Sequence, residues 1–306
     1  MKKAYIFLVF VAALCFSAIT ANAQQDAHYT QFMFNTLGYN PAYAGTREAV
    51  SALLLYRNQW VSKVDGAPQD FVFNIHAPLR DKYGIGLSAE YDQIGVHDIT
   101  TINAMYAYRF YVGPKAKLSV SLQGGVQHRR SNFTEVETSE GPDPTFAQNS
   151  SKVLPNFGLG LYFYTRIYYI SFSIPHLLNN KVSEVSKLAL QDRHYYLGGG
   201  LILPVAEGLK IKPAILLKSI PSKAPLIADL NINLLIKEAL WIGGSYRTND
   251  SFDLLAAVQV NKNLRIGYAY DFTLSRLSDF SAGSHEVMLG IDFGFGNDRI
   301  ITPRYF

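Results

Sequence analysis

Residues 102–110 read Ile102-Asn103-Ala104-Met105-Tyr106-Ala107-Tyr108-Arg109-Phe110. Ile102, Ala104, Tyr106, Tyr108 and Phe110 share one parity, while Asn103, Met105, Ala107 and Arg109 share the other. Successive side chains of a strand point to opposite faces, so this stretch is a two-faced strand. The same period recurs along the chain. Ile85, Leu87, Ala89 and Tyr91 oppose Gly84, Gly86, Ser88 and Glu90, and Leu118, Val120 and Leu122 oppose Ser119, Ser121 and Gln123. Leu230, Ile232 and Leu234 oppose Asp229, Asn231 and Asn233. Near the end, Val287, Leu289, Ile291, Phe293 and Phe295 oppose Glu286, Met288, Gly290, Asp292 and Gly294.

Alternation alone also fits a soluble sandwich with its apolar face inward. Connection length separates the two. Fourteen runs are read, near 48–58, 69–78, 82–92, 99–112, 116–130, 153–164, 166–176, 191–203, 208–219, 225–237, 239–248, 252–260, 264–273 and 284–295. Tight turns at Arg80-Asp81, Gly113-Pro114, Thr165-Arg166, Val205 to Glu207, Lys237-Glu238 and Asn261 to Asn263 alternate with longer links such as 131–152, 177–190 and 274–283. Short turns on one side and long loops on the other are the outer-membrane pattern, with the short ones periplasmic. The expected fold is therefore all-β: a closed transmembrane antiparallel β-barrel of about 14 strands, twelve or sixteen being the neighbouring even counts. In hydrocarbon every backbone group must be paired internally, and a closed barrel achieves this without an edge.

The first residues agree on compartment. Lys2 and Lys3 precede an apolar stretch from Ala4 to Ile19, and Ala21-Asn22-Ala23 offers small residues for a signal peptidase. This is a secretory signal peptide, 1–23, with cleavage expected after Ala23. Loss of 23 from 306 residues leaves 283, removes the sole cysteine, Cys15, and lowers the net charge from +4 to +2 with Lys2 and Lys3. A disulfide, thiol nucleophile or thiolate metal site is thereby excluded from the mature chain. So small a positive charge gives no reason to expect nucleic acid. Abundant aromatics (20 Tyr, 19 Phe) with 17% charged residues suit strands facing lipid and headgroups.

Residues 24–47 show no strand period and contain Asn40-Pro41 and Gly45, which signal turns. They are expected to form a plug or docking segment below or inside the barrel, which itself spans 48–306 with a short periplasmic tail. Exposed aromatic clusters mark interfaces, so Tyr29, Gln31, Phe32, Asn40, Pro41 and Tyr43 are the candidate partner-binding residues.

The strand phase turns Arg57, Glu90, Arg109, Asp229, Arg247, Asp271, Glu286 and Asp292 to the lumen, with Asp253 and Arg265. They are read as a paired network packing the interior; the alternative is a solute pathway, for which mixed signs set no clear ion preference. Trp60 and Trp241, with Tyr56, Tyr108 and Tyr168, are expected in headgroup girdles. Seven histidines include no His-x-x-x-His pair, and no nucleophile elbow or phosphate loop appears. No catalytic, metal or cofactor site is assigned. A membrane-embedded hydrolase would need a lumenal His and acid within hydrogen-bond reach.

Several stretches together resemble the PorP/SprF family of outer-membrane proteins of the type IX secretion system in Bacteroidetes. They are Gln25-Asp26-Ala27-His28-Tyr29-Thr30-Gln31-Phe32 running into Asn40-Pro41-Ala42-Tyr43-Ala44-Gly45-Thr46, then Tyr56-Arg57-Asn58-Gln59-Trp60, then Gly243-Gly244-Ser245-Tyr246-Arg247 with Asp250. The most specific is Gly267-Tyr268-Ala269-Tyr270-Asp271-Phe272-Thr273, continuing to Gly283-Ser284-His285-Glu286; Ala27 departs from the proline expected there. The resemblance implies a non-enzymatic, gliding-related secretion component. It also implies its partners: a large secreted adhesin, through its C-terminal sorting domain, and periplasmic or outer-membrane subunits of the machinery. A general porin or solute channel is the alternative.

Overall fold

The computed structural model describes residues 27–47, 49–61, 66–135, 148–180, 191–221, 224–279 and 281–294. The expected signal peptide and the C-terminal tail lie outside them. The strands are β1 (Val50–Asn58), β2 (Gln69–Arg80), β3 (Tyr83–Ile94), β4 (His97–Tyr111), β5 (Lys117–Ser131), β6 (Ser150–Tyr164), β7 (Tyr168–Ile174), β8 (Tyr195–Leu201), β9 (Leu203–Ala206), β10 (Leu209–Ile220), β11 (Ala224–Ile236), β12 (Leu240–Arg247), β13 (Ser251–Gln259), β14 (Leu264–Thr273) and β15 (Ser284–Phe293). All neighbours pair antiparallel; β1 joins β15, and β10 joins both β8 and β11, which closes the sheet. β8 and β9 flank the single residue Ile202 and both pair with β10, so the barrel has fourteen staves.

The two faces are inverted relative to a soluble protein. Outward positions are large, apolar and exposed, such as Leu122 at 68% and Ile232 at 59%, whereas the inward neighbours Ser121 and Asn233 are buried at 2% and 0%. An apolar outer band over a polar interior is what a bilayer demands of a barrel. No helix among the described residues is long and apolar enough to cross a membrane; the strands do the crossing.

Loop sorting holds with a refinement. One end carries the tight links β2–β3, β4–β5, β6–β7, β9–β10, β11–β12 and β13–β14, together with the start of β1 and the end of β15. The other end carries every long link, β1–β2, β5–β6, β7–β8 and β14–β15, but also the short β3–β4, β10–β11 and β12–β13 turns. The short-turn end is periplasmic and the other extracellular.

Candidate functional site

The lumen is occupied by the chain's own N-terminal segment. Residues 30–33, 35–37 and 39–46 are buried, and their environment is the inner barrel wall. Its one regular element is the single helical turn Thr36–Tyr39, followed by a 3-10 turn at Pro41–Tyr43 whose cap, Asn40, accepts the Ala42 amide at 2.9 Å. Proline at the first helical position and Asn at the cap favour that turn locally. The segment has no strand period because its backbone bonds mostly to itself in successive turns, and at Thr30, Gln31 and Gly45 to side chains of the wall, instead of to a ladder.

The segment descends from the extracellular side. His28 Nε2 contacts Lys218 Nζ at 2.8 Å near the top of β10, and His28 Nδ1 lies 3.8 Å from Asp229. Burial, with the Lys218 ammonium beside it, holds the His28 imidazole down at about 3, so the neutral ring accepts from the lysine. Tyr29 donates its hydroxyl to Glu90 at 2.5 Å. Glu286 then receives both the Thr30 amide at 2.9 Å and the Gln31 amide at 2.8 Å, while the Thr30 hydroxyl donates to Asp271 at 2.6 Å. Arg57 completes the group, 2.6 Å from Asp271 and 3.1 Å from Glu286. Charged side chains this deep are retained when paired and hydrogen-bonded.

Below this level aromatics take over. Phe32, Met33 and Tyr39 pack with Tyr196, Leu216 and Leu255. Phe34 sits edge-on to Trp241 at 5.7 Å, with Lys212 over both rings. Tyr43 meets Tyr162 at 5.4 Å and His76 at 5.3 Å. The Asn40 amide donates to the Leu161 carbonyl at 3.0 Å. At the periplasmic floor, Arg109 donates to the carbonyls of Gly45, Arg80 (3.0 Å) and Tyr83 (2.9 Å), and Arg47 pairs with Asp292 at 2.7 Å.

Three wall glycines mark where the segment leans closest. A Cβ on Gly84 would collide with the Ala44 carbonyl oxygen, one on Gly160 with Asn40 Oδ1, and one on Gly267 with Gln31 Oε1. The Gly267–Gln31 contact joins two of the stretches that carry the family resemblance.

The sequence-assigned residues thus fall into separate groups. Arg57, Asp271 and Glu286 meet Thr30 and Gln31; Asp229 pairs with Arg247 at 2.6 Å; Glu90 holds Tyr29; Arg109 and Asp292 stand at the opposite end. Gln31, Phe32, Asn40, Pro41 and Tyr43 are enclosed, whereas Tyr29 borders a cleft with Glu90, Gln127 and His194. Trp241 corrects the girdle expectation: it points inward at 3% exposure against Phe34. Sequence reasoning passed over Asp70, His28 and Lys212. The alternation Gln69-Asp70-Phe71-Val72, with Phe71 outward at 50% and Asp70 at 0%, carried the signal for the first. Among the described residues no group of three or more His, Cys, Asp or Glu could hold a metal ion.

A family model described as "Type IX secretion system membrane protein PorP/SprF" matches residues 21–291. No curated protein matches the chain. Among solved structures, the Ralstonia pickettii toluene transporter TbuX aligns with a TM-score of 0.55 at 10% identity, over 88% of this chain and 94% of that one. The CymD monoaromatic hydrocarbon channel aligns at 0.50 and 11% identity, over 88% and 94%. At such identities the likeness concerns the barrel fold.

Proposed function

The chain belongs to the PorP/SprF family of type IX secretion system membrane proteins, an integral outer-membrane barrel, and on that premise we propose that it receives a secreted adhesin. The adhesin's C-terminal domain docks at the extracellular mouth, and machinery subunits engage the periplasmic end. The role is structural and non-enzymatic.

The observation that carries this reading is the filled lumen. Residues 30–47 are tied to the wall at the top by Glu286 and Asp271 and at the floor by Arg109 and Asp292. Such a barrel presents mouths and loops to its surroundings rather than a diffusion path, which argues against the porin alternative. Binding surfaces on loops held by a rigid scaffold are a common arrangement.

The test is deletion of residues 26–45, followed by heat-modifiable gel migration and surface staining for the adhesin. A folded barrel without surface adhesin is the expected result. Normal adhesin display from a folded deletion mutant would overturn the role given to the segment.

A further inference from the structure

The extracellular third of the lumen carries more carboxylates than its arginines neutralise. Arg57 bridges Asp271 and Glu286, and Arg247 bridges Asp229 at 2.6 Å and Asp250 at 3.1 Å. Each guanidinium is therefore committed to two acids. Asp70 and Asp253 stand outside these pairs, both at 0% exposure. Asp70 Oδ2 accepts from Gln59 at 3.3 Å, but its Oδ1 has no hydrogen-bond partner, and neither oxygen of Asp253 has one.

The ladder makes this arrangement costly. Asp70 lies directly opposite Asp92 across β2–β3, and Asp253 lies directly opposite Asp271 across β13–β14. Like charges directly opposite destabilise a sheet. Asp70, Asp92, Asp250 and Asp271 line one cavity of about 490 Å³ at the mouth together with Arg57 and Arg247, with Trp60 on its rim. Trp60 holds a left-handed backbone, φ 51°, a conformation uncommon for a bulky residue. Acids outnumber arginines in this lining, and both arginines are already held by Asp271 and Asp250, so the excess negative charge favours a cation, and an indole face adds a cation–π surface.

We propose that this vestibule is a receptor for basic side chains, lysine or arginine, of a protein docking from the cell surface. The cavity lies in the size range of small-ligand sites, enough for such side chains to reach Asp70. The proposal rests on the docking role above and supplies its chemistry.

The experiment uses the purified mature chain in detergent, titrated with trilysine and read by calorimetry and tryptophan emission, with triglutamate as the charge-reversed control. Saturable trilysine binding is expected. It should weaken as salt rises and be about tenfold weaker in Asp70→Asn, roughly what loss of one charge-assisted hydrogen bond produces. Trp60→Leu, read by calorimetry, should weaken it also, and triglutamate should not bind. No saturable binding to the folded wild type, unchanged binding in both variants, or full displacement by calcium chloride at equal ionic strength would overturn the proposal. Surface staining separates it from the docking role. Adhesin display that persists in Asp70→Asn cells, after trilysine binding is lost in vitro, contradicts the adhesin as ligand but leaves the basic-ligand site standing.

Discussion

Arg57 on β1 lies directly opposite Glu286 on β15, and their 3.1 Å ion pair crosses the seam where the first and last strands meet. The same carboxylate caps the amides of Thr30 and Gln31. Seating of the lumenal segment and closure of the barrel therefore share one side chain. Both arise from sequence positions about 230–256 residues apart, at separations of 229, 255 and 256, so neither contact is visible in any local pattern.

Arg57→Met should consequently cost about 3–5 kcal/mol, because it leaves Glu286 and Asp271 buried without their cation. The measurement is a urea titration followed by heat-modifiable migration. A variant with wild-type resistance would show that the seam does not depend on this pair.

Lipid exposure sets a depth-dependent expectation on one strand. Leu122, 68% exposed near the middle of the apolar band on β5, should cost about 2–4 kcal/mol as Leu122→Arg. Leu118, at the periplasmic end of the same strand and the same parity, should cost about 0–1 kcal/mol as Leu118→Arg. Equal costs in a folding titration would contradict the placement of β5 in the bilayer.

Strand identity was legible in the sequence because a membrane barrel writes its two faces as apolar and polar residues in strict alternation. Arg109, Asp229 and Glu286 were turned inward by that alternation alone, and the fold bears the all-β barrel reading out. The break at Ile202 was not legible, since β8 and β9 sit on one continuous apolar run. The short extracellular turns, such as Gly95-Val96, were missed as a class, because turn chemistry does not state which membrane face a turn occupies. The course of residues 27–47 through the lumen was beyond local reading. Its anchors are wall side chains and absent Cβ atoms at Gly84 and Gly267, contacts that only the closed barrel creates.

Orientation has its own check. A short epitope tag inserted after Asn149, in the β5–β6 link, should be labelled by antibody on intact cells. A tag between Lys237 and Glu238, both in left-handed turn conformations at φ 50° and 57°, should be labelled after permeabilisation of the outer membrane. Equal labelling on intact cells would reverse the assignment of the extracellular mouth.

The central claim, that the barrel is a docking body with its lumen filled by its own N-terminal segment, is tested most directly by planar-bilayer conductance of the purified mature protein. The account predicts no stable open steps from the wild-type chain, and stepwise openings once residues 26–45 are deleted from a barrel that still folds. Steady ohmic steps from the wild-type protein would contradict it.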